Sequence, residues 1–388
     1  MRVKLKDAFN LQMGKTPSRA DLSLWGGNNK WISIADIGSA KKHISSTKEC
    51  ITDEGVSRSG IKVVPEGTVI MSFKLSIGKT AIVSEDMYTN EAIMAFIDNG
   101  TYCIDPNYLY HLCCGTDWTQ GGNKAVMGLT LNKATLSEME IELPTIEEQR
   151  EIASILDQLD AIIEKRHDEL NMIEQLVKSR FIELFGDPIA NQFGWDTTNI
   201  GAIVTEVRYG TSRPAVENGK YPYLRMNNLT FDGHLDLKDL KRIDIPEEEI
   251  EKCIVRKGDV LFNRTNSVEL VGKTCVFDLD EEMVIAGYII RVRLGQKMIP
   301  TVFSAFMNSQ PIKELFRGMA KGAVNQANIN AQELQSIRIY LPPIDLQEQF
   351  AAFVEQTDKS KYFACQTLSF LLKLANNLQS WREKQYDY

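Results

Sequence analysis

The 388 residues are 43% hydrophobic with a net charge of −8, enough apolar material for two domains of ordinary size to bury a core each. No apolar run approaches the roughly eighteen residues of a membrane span and no basic, apolar leader opens the chain, so a soluble cytoplasmic protein with no membrane partner is expected. Seven cysteines without a C-x-x-C pair, and four scattered histidines (His43, His111, His167, His234), argue against bound zinc.

In residues 1–143, short β-rich runs at 63–64, 68–71 and 80–83 alternate with Gly, Asn and Asp turns, which predicts an α+β domain with a twisted, mainly antiparallel sheet. Its polar loops carry donors suited to DNA: Lys15, Ser18 and Arg19 in one, Lys74 and Ser76 before Gly78-Lys79-Thr80 in a second, Asn123 and Lys124 in a third. Glycine there lets backbone approach phosphate, and lysine adds charge. A solvated polar loop is the plainer reading of any single position.

Residues 144–185 read as a helix. Ile152, Leu156, Leu159, Ile163, Arg166, Leu170, Ile173, Val177, Arg180 and Leu184 step by four and three, a heptad seam. The thirty-three residues from Ile152 to Leu184 rise roughly 50 Å at ~1.5 Å per residue. Ten acidic and five basic side chains fall in this segment, so much of the acidity sits on the helix and the flanking segments stay near neutral. That permits local basic faces without supplying them.

After the break Gly186-Asp187-Pro188, residues 186–341 read as a second α+β domain, with β-rich runs at 254–262, 274–277 and 285–293 and a helix over 302–317. Its loops hold Thr211 and Arg213, Arg225 and Asn227, then Asn263, Arg264 and Asn266 before Gly272-Lys273-Thr274, and finally Lys321, Asn325 and Gln326. Arginine pairs bidentately with guanine and asparagine with adenine. Lys273, like Lys79, is expected to touch phosphate. Residues 342–388 form a second helix, its seam Phe350, Val354, Thr357, Lys361, Ala364, Leu368, Leu371, Ala375, Leu378, Arg382 poorer in large apolar groups. Antiparallel pairing of the two helices explains the matched seams; a plain surface helix on each domain is the simpler alternative.

The two halves repeat. Asn132, Leu136, Pro144, Ile146 and Gln149 return as Asn330, Leu334, Pro342, Ile344 and Gln347, each displaced by 198 residues. Gly67-Thr-Val69 and Gly78-Lys79-Thr80 are echoed by Gly258-Asp-Val260 and Gly272-Lys273-Thr274. Two similar units in one chain suit two similar faces, as duplex DNA offers. Four parts follow: 1–143, 144–185, 186–341 and 342–388.

Catalytic signatures fall short. A P-loop needs glycine five positions before Gly78 and Gly272, where Phe73 and Ser267 stand. Asp105-Pro106-Asn107-Tyr108 resembles the Asp-Pro-Pro-aromatic motif of amino-methyltransferases, but Asn107 replaces the second proline and no glycine-rich cofactor loop accompanies it. The chain reads as a recognition protein without an active site.

Leu143-Pro144-Thr-Ile146-Glu-Glu-Gln149-Arg150-Glu-Ile152, Lys178-Ser-Arg180-Phe181 ahead of Gly186-Asp187-Pro188, and the second copy at Leu341-Pro342-Pro343 resemble the specificity subunits of type I restriction-modification systems over essentially the whole chain. The resemblance implies two target-recognition domains, each reading half of a bipartite asymmetric DNA site, with the paired helices setting the unread gap. It implies partners on the helical regions: two methyltransferase subunits holding S-adenosylmethionine and modifying adenine, joined by restriction and translocase subunits using ATP and Mg. No cofactor is then expected on this chain. The seam residues from Ile152 to Val177, with Phe350, Val354, Leu368 and Leu371, would serve pairing and partner binding. The sequence departs from the pattern where Gln347-Glu-Gln349 replaces Gln-Arg and where the second seam is diluted. The rival readings are a single-chain DNA methyltransferase or nuclease with divergent motifs, and a coiled-coil scaffold that never touches DNA.

Overall fold

The computed structural model describes residues 1–74, 76–118, 123–125, 128–320 and 327–384, without the side chains of 123–125, 128–130 and 376–384. It divides into two compact units, Met1–His167 with Gln366–Tyr388, and Asp168–Cys365. The fold is α+β, its sheets mainly antiparallel.

In the first unit a five-stranded sheet runs in the order Phe9–Met13, Ile93–Asp98, Val69–Ser72, Thr80–Val83, His43–Ile44, antiparallel except at its last pair. All four residues of Val69–Ser72 are buried because both faces are covered: Val69 and Met71 join a core with Phe9, Tyr108 and Leu136, while Ile70 joins Ile32, Val64 and Ala81 on the other side. A continuous apolar run is what two-sided burial requires. A smaller sheet orders Glu49–Ile51, Trp25–Ile32 and Tyr88–Thr89. Asp105-Pro106 starts the helix Pro106–Gly115, the carboxylate of Asp105 accepting from Asn107 N at 2.9 Å and Tyr108 N at 3.1 Å. That turn is a helix cap.

The second unit has two four-stranded sheets, Val204–Tyr209, Ile289–Leu294, Val260–Asn263, Thr274–Val276 and Lys241–Ile243, Tyr221–Leu224, Met283–Ile285, Ile254–Val255. Three expected elements divide. The run 254–262 breaks at a turn where Gly258 has φ 93°, a left-handed value that favours glycine. The run 285–293 breaks after Ile285 and resumes at Ile289, and the helix over 302–317 is two helices, Pro300–Asn308 and Gln310–Met319. Ser309 is extended between them, and Pro311, lacking an amide proton, opens the second.

The long helices are Ile146–Phe185 and Ile344–Lys384. Within the second unit, Phe181 and Phe185 stack edge-on against Phe350 at 5.6 and 5.5 Å, Arg180 lies over Phe353, and Glu174 pairs with Lys361 at 2.8 Å. One number rises as the other falls, so the helices pair antiparallel. Lys361, polar in the seam, meets the acidic partner that its position calls for. Every seam residue from Ile152 to Leu184 and from Phe350 to Ala375 is buried or half-buried; Leu378 and Arg382 have side chains outside the described residues. Phe181, Phe185 and Phe350 share a core with Phe303 and Tyr340, so this stretch of the helices is part of the domain core as well as a rod. Among the described residues no helix is long and apolar enough to cross a membrane.

Candidate nucleic-acid interface

The repeat has a physical basis at two places. At the first, Gly14 N donates to Ile93 O at 3.2 Å and Lys15 N to Thr89 O at 2.9 Å; in the other unit Gly210 N donates to Ile289 O at 3.1 Å and Thr211 N to Ile285 O at 2.9 Å. A Cβ at Gly14 would lie 2.0 Å from Thr89 O, and one at Gly210 2.1 Å from Ile285 O. Only glycine lets the polar loop leave the sheet this closely.

At the second, the amide of Gln149, almost fully buried, accepts from Asp105 N at 2.9 Å and donates to Cys103 O at 3.1 Å and Pro144 O at 3.0 Å. Gln347 repeats this with Ile299 N at 2.9 Å, Lys297 O at 3.1 Å and Pro342 O at 2.8 Å. Each glutamine bolts the start of a long helix to its domain. Asn132 and Asn330 cap the short helices that precede, and Leu136 and Leu334 are buried beneath them.

The Gly-Lys-Thr triplets are hairpin turns. Gly78 and Gly272 take φ 90° and 84°, and the Thr80 and Thr274 hydroxyls each donate back to the glycine carbonyl at 3.0 Å. Lys79 is exposed, whereas Lys273 is buried and donates to Met226 O at 2.7 Å. Desolvation holds the Lys273 ammonium below the usual lysine range. The expected phosphate contact of Lys273 is therefore corrected: the side chain pins a neighbouring loop.

Asn263 needs a similar correction. Fully buried, it donates to Thr265 O and Tyr288 O, both at 3.2 Å, and accepts from Asn266 at 2.9 Å. Its amide shapes the loop from within. Arg264 beside it is half-buried, its guanidinium 4.8 Å over the Tyr209 ring with Nη1 3.4 Å from Gly287 O. Arg264 N donates to Tyr288 O, and Gly287 N to Thr211 O, so the structure gathers Thr211, Arg213, Arg225, Asn227, Arg264 and Asn266 on one connected set of loops. Arg213 forks onto Glu249 at 3.0 and 2.6 Å, Arg225 bonds Asp239 at 2.8 Å, and Asn227 is exposed. Lys321, Asn325 and Gln326 lie outside the described residues; the chain that follows them, Ala327–Asn328, pairs with Thr265–Asn266.

In the first unit, Lys15 donates to Ser59 O at 3.1 Å and Ser18 O accepts from the Trp25 indole at 3.1 Å. Arg19 lies 3.7 Å over Trp25 and 5.1 Å from the Trp31 ring centre, and forks onto Glu49 at 2.5 and 2.9 Å. Phe73 N donates to Ala92 O at 3.0 Å, so the turn bearing Lys74 and Ser76 is anchored on the same 89–93 segment as Gly14 and Lys15. Lys74 sits 5.2 Å over the Phe73 ring, and Ser76 is exposed. Asn123 and Lys124 fall in the strand Asn123–Ala125, their side chains outside the described residues. Trp25, Trp31, Tyr209, Glu49 and Glu249 were not singled out by the sequence; only Trp25, close to Arg19 along the chain, carried a local signal.

Two small sheets, a polar loop springing from a glycine, and a long helix bolted on by a buried glutamine, all occurring twice, define a tandem recognition architecture. The profile described as "Type I restriction modification DNA specificity domain" matches residues 1–175 and 195–363, and the chain belongs to that family. It is 28% identical to the type I restriction enzyme MjaIX specificity subunit of Methanocaldococcus jannaschii over 61% of this chain and 62% of that one. It is 23% identical to the EcoKI specificity subunit of Escherichia coli over 76% and 68%. The chain thus spans a little under two thirds of the first relative. Its fold is similar to the type I restriction-modification S subunit from M. genitalium, at TM-score 0.55 and 14% identity over 98% of this chain and 94% of that one. A chain solved for complex assembly and conformational transition of the type I R-M system superposes at TM-score 0.64 with 19% identity, over 98% and 97%.

Proposed function

We propose that this chain is the sequence-reading, non-catalytic specificity subunit of a type I restriction-modification complex. Residues 1–143 and 186–341 are its target-recognition domains, and 144–185 and 342–388 its helical spacers. The observation that carries this is the repeat itself: one backbone framework, set by Gly14 and Gly210 and by Gln149 and Gln347, presents different side chains in its two copies. Equal scaffolds with unlike edges suit a split site whose halves differ. Arg264, Asn266, Arg213, Arg225 and Asn227, with Thr211 and the Lys321, Asn325, Gln326 segment, read or hold one half. Lys15, Ser18, Arg19, Lys74, Ser76, Lys79, Asn123 and Lys124 serve the other.

Partner subunits supply the chemistry: methyltransferases carrying S-adenosylmethionine, and ATP- and Mg-dependent restriction subunits, in the cytoplasm. Large apolar side chains of unit 2 pointing away from the seam, Met172, Leu176 and Phe363, all more than half exposed, give such partners a surface. The deciding experiment maps methylated adenines across the host genome with the gene intact and deleted. Loss of one split motif on deletion is the expected result; an unchanged methylome contradicts the reading and favours the scaffold.

A further inference from the structure

The two polar loops share a feature that neither the repeat nor the family match accounts for. Each places an arginine shortly after its close-approach glycine, Arg19 after Gly14 and Arg213 after Gly210, and each arginine is forked by a glutamate. The glutamates come from unrelated elements: Glu49 from the strand Glu49–Ile51, Glu249 from the helix Glu247–Cys253. A shared chain path therefore does not explain why both loops have one. Nor does folding stability, since exposed ion pairs of this kind contribute little to it. All four side chains are substantially solvent-exposed.

The forks leave different donors available. Glu49 takes Nη1 and Nη2 of Arg19, whose face is stacked on Trp25. Glu249 takes Nε and Nη2 of Arg213, leaving the Nη1 end uncommitted to it. In both cases the carboxylate neutralises the arginine and fixes its direction. A neutralised, fixed arginine is a poor ligand for phosphate at large and a good one for a base edge or phosphate at one set position.

We propose that Glu49 and Glu249 are specificity-determining positioning residues, each restraining the arginine of its own loop so that unread DNA is bound weakly and one half-site is read sharply. This rests on the DNA-recognition reading above. Both glutamates sit below the usual carboxylate range, chiefly because of the arginine hydrogen bonds, and so remain ionised at neutral pH. Freeing one cation adds about one phosphate contact, which steepens the dependence of log affinity on log salt by about 0.9.

The test uses the full chain in complex with its methyltransferase partner and a duplex library of randomised sequence, reading base preference at each position of the bound fraction and retention of the bulk library against salt. The wild type selects two separated blocks of preferred bases. Glu49→Gln flattens one block only and Glu249→Gln the other, each raises bulk retention roughly threefold to tenfold at low salt, and Glu49→Asp restores most of the lost preference. Both blocks unchanged in both variants overturns the proposal, as does either variant blurring both blocks together, which marks a structural role. If the wild type selects no blocks, the DNA-recognition reading fails and this inference falls with it.

Discussion

Unit 1 and unit 2 agree in the hydrogen bonds of their close-approach glycines and buried glutamines and differ in many of the side chains that face outward. The close-approach glycines make the same pair of hydrogen bonds within about 0.1 Å, and the buried glutamines the same three. The proposed readers diverge: Arg19 stacked on Trp25 beside Trp31 in one unit, Arg264 on Tyr209 in the other. Backbone geometry shared by the two copies marks framework, and the side chains placed differently on it mark what distinguishes the two faces.

The largest asymmetry should be at the helix anchors. Phe350 is fully buried against Phe181 and Phe185, while its counterpart Ile152 is only half-buried. Phe350→Ala should cost unit 2 about 3 to 5 kcal/mol, and Ile152→Ala should cost unit 1 less than half as much, read as separate denaturant transitions. Equal losses would break the comparison.

At the glutamines the prediction is equality. Gln149→Leu and Gln347→Leu each strand a buried amide and two carbonyls, for roughly 2 to 4 kcal/mol apiece. A large difference between them would mean one lock is ornamental.

The readers come next. Arg264→Ala should relax base choice in one half-site by about 1 to 3 kcal/mol, whereas Lys79→Ala should weaken binding evenly across sequences and soften its salt dependence. Unchanged selection by the Arg264 variant would remove it from the reading edge.

The remaining contrast is a pH asymmetry. Buried in unit 2, Lys313 donates to Phe231 O, and desolvation pushes its ammonium down to about 8. Between about 8 and the ordinary 10.5 the unfolded chain holds the extra proton, so unit 2 should gain stability as pH rises through that window, and Lys313→Met should flatten the gain. In unit 1, burial lowers the His111 pKa from 6.5 although Asp157 lies 2.7 Å from its Nε2. The unfolded chain then takes up the proton first, and unit 1 should lose stability as pH falls below about 6.5. Melting curves across pH 5 to 10 separate the two; a single shared profile would contradict both assignments.

Much of the framework was legible because it depends on local chemistry: the helical seams and the glycine turns, with Asn132 and Asn330 visible as repeat positions though not as the helix caps they are. The roles of Gln149 and Gln347 were visible as spacing but not as a reason, since their partners lie some 45 to 50 residues away. Lys79 and Lys273 sit in identical triplets, and only the loop around Met226 decides that one is exposed and the other buried. Asn263 was misread for the same cause: a polar residue looks alike whether it faces solvent or ties its own loop. Pro311 carried the signal for the helix break at Ser309, and the apolar run around it obscured that signal.

The chain order of the units has a consequence for biosynthesis. Unit 2 is one contiguous stretch, Asp168–Cys365, but unit 1 combines Met1–His167 with Gln366–Tyr388. Every residue of the second-encoded unit is therefore synthesised before the segment that completes the first. A frameshift just beyond Cys365 should leave unit 2 intact and injure unit 1, the domain whose coding begins hundreds of codons upstream.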